Sequence, residues 1–331
     1  MSLAQLYPTA KDIRDNNPST RTGDAPVGFS FEVLPPLKGT GTTALFQTIE
    51  TLAPFNPRHI NITTHRAEYV YRELEGGLVE RQRVRRRPGT IAIAAAIQHR
   101  WGIPVIPHIV CSGSTKTDIE YALLDLQFLG ISDLFILRGD KAREEAMYQP
   151  TPGGYTHALE LIEQVNRFNE GFFADGSSIK VKGVPFEFGV AAYPEKHEEA
   201  PNIESDIRVL LEKERCGAKV AITQLFYDNR KFYDFIAKAR AAGVTIPIIP
   251  GLKPLAKLSQ LTTVPKTFRC DLPFALSEEL RRCTTDDEVK QVGIEWGIAQ
   301  CRDLIAHGVP SLHFYTLSAV DSIRQIAEAI Y

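Results

Sequence analysis

The sequence predicts an α/β fold, a single (β/α)8 barrel, on three observations. Short apolar runs recur along the chain, each stopping at polar or ionisable residues. Segments with apolar residues at helical spacing separate them, so strand and helix alternate through eight units. The chain's 331 residues, with no linker-like stretch, suit one such barrel better than two joined domains. An open doubly wound sheet is the alternative, but no Gly-x-Gly-x-x-Gly follows the first strand.

Residues 1–27 read as a polar arm with one helix at most, and 28–331 as the barrel. The first strand is 28–34, Gly-Phe-Ser-Phe-Glu-Val-Leu, closed by Pro35 and Pro36, which cannot continue a ladder. A helix over 42–53 follows, with Leu45, Phe46, Ile49 and Leu52 on one face. A strand at 59–63 ends in Thr63, Thr64, His65 and Arg66. The connection 66–89 is long and charged and reads as a solvated loop; anion steering is the alternative for its Arg-Val-Arg-Arg-Arg-Pro run. A helix at 90–99, a strand at 104–110 delivering His108, and a helix at 116–129 come next. The apolar run 134–137 is a buried strand that breaks off at Arg138, Gly139 and Asp140.

A helix is expected over 155–168, an Asn-, Gly- and Ser-containing insertion over 169–182, and a strand over 186–192. The second half repeats the pattern with helix 202–216, strand 219–223 ending at Gln224, and helix 231–241. Strand 246–249 ends at Pro250-Gly251, and a polar helical stretch surrounds 255–261. A long helix over 285–307 has a capping box, Thr285 to Glu288, and Gly308 past its end. A last strand over 311–315 and an amphipathic helix over 318–330 complete the series.

Composition removes several classes of function. A formal net charge of -2 gives no reason to expect nucleic acid. The first 24 residues lack an apolar core for a secretion signal, and no stretch approaches a membrane-spanning length, so a cytoplasmic protein is expected. The five cysteines are widely spaced with no CxxC pair, which predicts reduced thiols and no cysteine metal site. No HxH, HExxH or clustered carboxylates point to a metal-dependent hydrolase. No Gly-rich phosphate loop lies near the last two strands, which weakens a sugar-phosphate lyase or isomerase.

In a barrel of this kind the chemistry sits at the C-terminal strand ends. The polar residues there are Glu32, Thr63, His108, Arg138, Asp140, Tyr193, Gln224, Tyr315 and Thr316. Each has a structural explanation by itself: an ion-paired carboxylate, a hydrogen-bonded core histidine, a loop cap, or a surface salt bridge between Arg138 and Asp140. Seven strands delivering such groups to one rim favour an active site. Two carboxylates there can have separated proton affinities. Glu32, between apolar Phe31 and Val33, is the candidate for a raised value and proton donation. Asp140, beside Arg138, is the one expected to stay ionised. The residues by themselves reach an enzyme with one acid and one charged electrostatic group.

Seven short motifs in order go further. Phe-Ser-Phe-Glu-Val-Leu-Pro-Pro, Pro-His-Ile-Val-Cys, Leu-Arg-Gly-Asp, Val-Ala-Ala-Tyr-Pro-Glu-Lys-His, Ala-Ile-Thr-Gln-Leu-Phe-Tyr-Asp, Ile-Ile-Pro-Gly and His-Phe-Tyr-Thr-Leu together resemble the methylenetetrahydrofolate reductase family from about residue 28 onward. The resemblance implies a flavin-containing barrel that reduces 5,10-methylenetetrahydrofolate to 5-methyltetrahydrofolate with NADH or NADPH. It makes Glu32 the general acid that opens the folate imidazolidine ring and Asp140 the charge near flavin and pterin. It assigns Gln224, Gln260 and Thr63 to substrate. It assigns Thr64, His108, Arg138, Gly139, Asp140, Tyr155, Tyr193, His197, Ala200, Asp206 and Lys213 to FAD.

Asp206 and Lys213 are a heptad apart and so project from one side of their helix; a solvated charged face is the alternative. Thr64, Ala319 and Val264 depart from family residues that touch nucleotide or folate in some members. The partners expected are small molecules and further copies of the chain, with no nucleic acid and no membrane. Rival readings are a flavin barrel of the proline dehydrogenase type, a cofactor-free lyase using Glu32 and Asp140, and a catalytically silent assembly partner.

Overall fold

Parallel strands alternating with helices make up the chain, as the apolar periodicity predicts. The computed structural model describes residues 2–7, 27–142, 145, 147–317 and 319–331, so most of the expected arm lies outside the described residues. In order, the elements are α1 (Leu3–Leu6), β1 (Gly28–Val33), α2 (Thr43–Leu52), β2 (Ile60–Ile62), β3 (Glu68–Glu73), β4 (Val79–Val84) and α3 (Thr90–Trp101). Then come β5 (Val105–Val110), α4 (Lys116–Phe128), β6 (Asp133–Leu137), α5 (Ala158–Glu170) and β7 (Glu187–Ala192). The chain continues through α6 (Ile203–Arg215), β8 (Val220–Thr223), α7 (Asn229–Ala241), β9 (Ile248–Ile249) and β10 (Gly251–Leu252). It ends with α8 (Gln260–Phe268), α9 (Phe274–Arg282), α10 (Asp286–Ala306), β11 (Ser311–Tyr315) and α11 (Val320–Ile330).

Two compact units emerge. One comprises Met1–Val33, Thr48–Ile60 and Glu187–Tyr331; the other comprises Leu34–Gln47 and Asn61–Phe186. In the first, β11 pairs in parallel with β1 and β10, while β8 pairs in parallel with β7 and β9. Register Gly28↔Ser311 through Glu32↔Tyr315 puts Ser30, Glu32, His313 and Tyr315 on one face. Phe29, Phe31, Leu312 and Phe314 occupy the other face and are buried. There Phe314 and Leu252 line a small cavity with Cys301 of α10 and Ile326 of α11.

Helix α10 begins at the predicted capping box: Thr285 accepts from the Glu288 N–H, and Glu288 accepts from the Thr285 N–H. A Cβ at Gly293 of this helix would lie 2.0 Å from the Leu255 carbonyl oxygen, so only glycine permits the approach. The first residues of the arm are anchored here too. Tyr7 is fully buried, and its hydroxyl hydrogen-bonds His59 Nε2 at 2.5 Å.

In the second unit β5 and β6 pair in parallel, register His108↔Phe135 to Val110↔Leu137. Helix α4 opens on a capping box between Thr115 and Asp118 and buries Ile119, Leu123 and Leu126 at helical spacing. Helix α5 begins at Ala158, later than the expected 155. The Thr156 and His157 N–H groups both donate to Glu160 Oε2, at 2.7 and 2.8 Å, and this cap leaves Tyr155 outside the helix.

The larger departure is at 66–89, expected as a loop: β3 and β4 form an antiparallel hairpin that interrupts the alternation. Gly76 and Gly77 both have positive φ, 83° and 75°, the turn chemistry a tight hairpin needs. Around 255–261 the expected helix lies further on, at α8, and α9 follows it. Strand 246–249 is split by Pro250 into β9 and β10.

Candidate active site

Glu32 and Tyr315 are register partners at the ends of β1 and β11. The Tyr315 hydroxyl donates to the Thr223 carbonyl at 2.6 Å, so its ring reaches towards β8. It does so across Gly251, where a Cβ would lie 2.1 Å from that carbonyl oxygen and 2.7 Å from the ring. The glycine of Ile-Ile-Pro-Gly is therefore demanded by space. Thr223 Oγ1 accepts from the Gly251 N–H at 2.9 Å, and the Thr316 hydroxyl donates to the Glu32 carbonyl at 2.7 Å. The Glu32 carbonyl is thereby tied to the chain just past β11. Burial pushes the Glu32 carboxyl from 4.5 up to about 8, although the side chain keeps some exposure. At neutral pH it therefore carries its proton. Burial and the nearby Glu32 and Tyr193 also hold the Tyr315 phenol well above its ordinary value.

The other predicted residues of this unit fall into two groups. Gln224 follows β8; its Oε1 accepts from the Leu225 N–H at 2.9 Å, which aims the amide donors away from the backbone. Gln260 opens α8, and its Oε1 accepts from the Ala256 and Lys257 N–H groups at 2.7 and 3.1 Å. The second group surrounds the loop after β7. Asp206 accepts from the His197 N–H at 2.6 Å, and the Tyr193 and His197 rings meet edge to face at 4.8 Å. Burial raises the Asp206 carboxyl, opposed by that N–H and by His197, Lys213 and Lys196. Asp206 is thus a tie for the 193–200 loop, in which the Ala200 N–H donates to the His197 carbonyl at 3.1 Å.

In the second unit, His108 is buried on β5, hydrogen-bonded through Nε2 to Asn61 at 3.1 Å and packed on Phe135. Burial, and secondarily His65, lower its value to about 3, so the ring is neutral. The Thr64 hydroxyl donates to the His108 carbonyl at 2.5 Å. Thr63 Oγ1 is buried with no hydrogen-bond partner among the described residues.

After β6 the Arg138 guanidinium lies over the Tyr148 ring at 4.5 Å, in place of the simple salt bridge to Asp140 weighed above. Gly139 has φ +84°, and a Cβ there would meet Ser112 Cβ at 2.8 Å. Ser112 Oγ donates to the Asp140 carbonyl at 2.8 Å, and its N–H donates to the Arg138 carbonyl at 2.9 Å. The Asp140 side chain is exposed. Tyr155 packs under the Lys116 ammonium, 5.1 Å from the ring centroid, and accepts at its carbonyl from the Tyr148 hydroxyl at 3.2 Å. Of the seven predicted residues of this unit, Thr63, Thr64, Arg138, Gly139 and Asp140 lie just beyond strand ends, His108 lies within β5, and Tyr155 sits in the lead to α5.

Lys253, just past β10, is 6% exposed, and burial lowers its ammonium to about 8.

Comparison with known proteins bears on the family and the fold. A family model described as methylenetetrahydrofolate reductase matches residues 19–331. Methylenetetrahydrofolate reductase (NADH) 1 of Arabidopsis thaliana is 27% identical over 307 residues, 90% of this chain and 47% of that protein. The chain spans about half the length of such relatives. A bacterial relative, 5,10-methylenetetrahydrofolate reductase of Salmonella typhimurium, is 27% identical over 305 residues, 92% of this chain and 90% of that one. Among solved structures, one from Clostridium thermocellum has a TM-score of 0.55 at 15% identity, covering 93% of this chain and 96% of its own. That protein is described as binding two copies of 5-methyl-5,6,7,8-tetrahydrofolic acid. The likeness shows the fold, an α/β barrel of the (β/α)8 type.

Proposed function

Because the chain belongs to the methylenetetrahydrofolate reductase family, we propose that it reduces 5,10-methylenetetrahydrofolate to 5-methyltetrahydrofolate with NADH or NADPH, using bound FAD. The observation that carries this reading is Glu32. A carboxyl that holds its proton up to about 8 is an acid at neutral pH, and ring opening of the folate needs one. The closed imidazolidine ring is a poor hydride acceptor, whereas the iminium formed by opening it is a good one. Glu32 delivers its proton to the departing N10. The Gln224 amide, whose oxygen is held by the Leu225 N–H, presents its N–H donors to the pterin. Gln260 and Thr63 are the further substrate contacts.

FAD supplies the hydride transfer that side chains cannot perform. The donor chemistry of each unit suits it. Arg138 and Lys213 are cations for phosphate or ribose oxygens, and His108 is held neutral. Thr64, Gly139, Tyr155, Tyr193, His197, Ala200 and Asp206 complete the proposed contacts, and Asp140 adds a negative charge at the flavin and pterin. Relatives named for NADH and for NADPH both occur, so either nicotinamide fits the reading. No helix among the described residues is long and apolar enough to cross a membrane; we place the protein in the cytoplasm as a homo-oligomer.

An anaerobic titration tests the reading. The purified protein should be yellow, bleach with NADH or NADPH, and recolour on adding methylenetetrahydrofolate but not a proline-derived imine. Colourless protein that does not take up FAD, or recolouring by the imine alone, would overturn it.

A further inference from the structure

Helix α4 carries two apolar stripes where a helix packed on strands needs one. Ile119, Leu123 and Leu126 are its buried stripe. Tyr121, Leu124 and Phe128, spaced as helix neighbours, form a second on the other side, with Tyr121 64% and Phe128 92% exposed. A helix that is apolar on both sides is normally covered on both. The segment before β7 lies along the same helix. The Ala174 N–H donates to Glu120 Oε2 at 2.5 Å, and a Cβ on Gly183 would meet the Gln127 amide nitrogen at 2.5 Å. Glu120 and Gln127 are a heptad apart, so the segment follows α4 for about two turns. It sets Val181 and Val184, 83% and 71% exposed, beside the outer stripe.

Tyr121, Phe128, Val181 and Val184 together present about 500 Å² to water, the size at which an exposed apolar patch marks an interaction site. A stable interface takes about 800 Å² from each partner, about 60% of it apolar, and this patch supplies that apolar share. Its charges identify the partner. Asp125 stands on the side of the stripe away from the segment, while Lys180 and Lys182 stand on the segment. All three are exposed, and none has an ion pair among the described residues. An acid on one edge and lysines on the other complement each other under a twofold axis parallel to α4. Such an axis lays each edge over the opposite edge of a second copy.

We propose that a second copy of the chain docks on this face. Tyr121, Leu124 and Phe128 form the centre of the contact, and each copy's Asp125 faces the other's Lys180 and Lys182. The inference names the contact for the homo-oligomer proposed above and rests on that reading. Phe128 ends α4 on the side from which β6 starts, whereas Arg138, Gly139 and Asp140 follow the other end of β6. The centre of the contact is therefore set away from the proposed FAD contacts after that strand.

The test is analytical ultracentrifugation of the full chain over a wide concentration range, beside Phe128→Lys and Tyr121→Lys. Phe274→Lys is the control, an aromatic 80% exposed on α9 and outside the face. A lysine at the C-terminal end of α4 suits the helix dipole, so Phe128→Lys should fold, which circular dichroism checks; if it does not, Tyr121→Lys decides. Both should halve the sedimenting mass or raise the dissociation constant at least about 30-fold, the loss expected at an interface centre. Phe274→Lys should leave the mass unchanged. Asp125→Lys should weaken association, and adding Lys180→Glu and Lys182→Glu to it should restore association, which a merely structural role would not allow. An unaltered chain that stays monomeric overturns the homo-oligomer and this face together. An oligomer that keeps its mass in folded Phe128→Lys and Tyr121→Lys overturns the face alone, as does equal loss in the Phe274→Lys control.

Discussion

The strand ends of β1 and β6 each present a carboxylate, and they hold it by opposite means. At β1 the Glu32 side chain is pressed among neighbours until burial lifts its carboxyl to about 8, while Thr316 grips its carbonyl. At β6 the Asp140 side chain is exposed, and what is fixed is its backbone: Gly139 at φ +84° and two hydrogen bonds from Ser112. A group that must give up a proton is controlled through its surroundings. A group that must keep a charge is controlled through its position. The difference fits the division of labour proposed here, an acid at the end of β1 and a fixed negative charge at the end of β6.

The largest effect that sharpens this contrast is Glu32→Gln. Glutamine keeps the size but cannot donate the proton, so the folate half-reaction should fall about 10²–10⁴-fold, or roughly 3–5 kcal/mol of barrier. Reduction of the flavin by NAD(P)H needs no acid and should stay within about tenfold. Stopped-flow traces of the two halves decide the matter; equal losses in both would remove Glu32 as the acid.

Glycine substitutions come next, because the two strand ends use glycine differently. Gly251→Ala puts a Cβ 2.1 Å from a backbone oxygen and against the Tyr315 ring. It should destabilise the fold by about 1–3 kcal/mol and slow the folate half-reaction as Tyr315 is displaced from beside Glu32. Gly139→Ala meets left-handed strain of about 1–2 kcal/mol and the Ser112 contact, and should instead weaken FAD retention. Chemical denaturation with flavin release measured in parallel separates them; the same functional loss in both variants would dissolve the distinction.

Asp140→Asn should be milder. It removes an exposed charge and leaves the Ser112 hydrogen bonds to the main chain, so stability should stay within about 0.5 kcal/mol. Reduced flavin bears extra negative charge, and loss of a nearby anion should raise its potential and slow folate reduction about tenfold. A lower or unchanged potential by spectroelectrochemistry would place Asp140 away from the flavin.

The same contrast shows in stability against pH. The native state holds the Glu32 proton between 4.5 and about 8, where the unfolded chain has released it. Native protein binds more protons in that window, so this group makes stability fall as pH rises through it. Melting curves of Glu32→Gln should lack that component, and the variant should gain on the unaltered protein from pH 5 to 8.

How legible each part was follows from the physics of its neighbourhood. Strand β11 lies where it is expected, at 311–315, because Leu312 and Phe314 alternate onto the apolar face and the polar Ser311 and His313 between them are buried as well. The hairpin was missed because its side chains between Tyr71 and Gln82 are exposed, so charge dominated the reading; the Gly76-Gly77 pair was the signal available. Helix α9 was missed because only Leu276 and Leu280 anchor it while Phe274 is 80% exposed. The raised proton affinity of Glu32 was legible from apolar Phe31 and Val33 beside it.

The claim on which the account turns is that Glu32 is a buried, protonated donor, and the pH dependence of the isolated folate half-reaction tests it most directly. With the enzyme reduced beforehand and folate saturating, the rate should be level below neutrality and fall as pH rises through about 8, where the carboxyl loses its proton. In Glu32→Gln the residual rate should show no such break. A break near the ordinary carboxylate value of 4.5, or the same break near 8 in the glutamine variant, would contradict it.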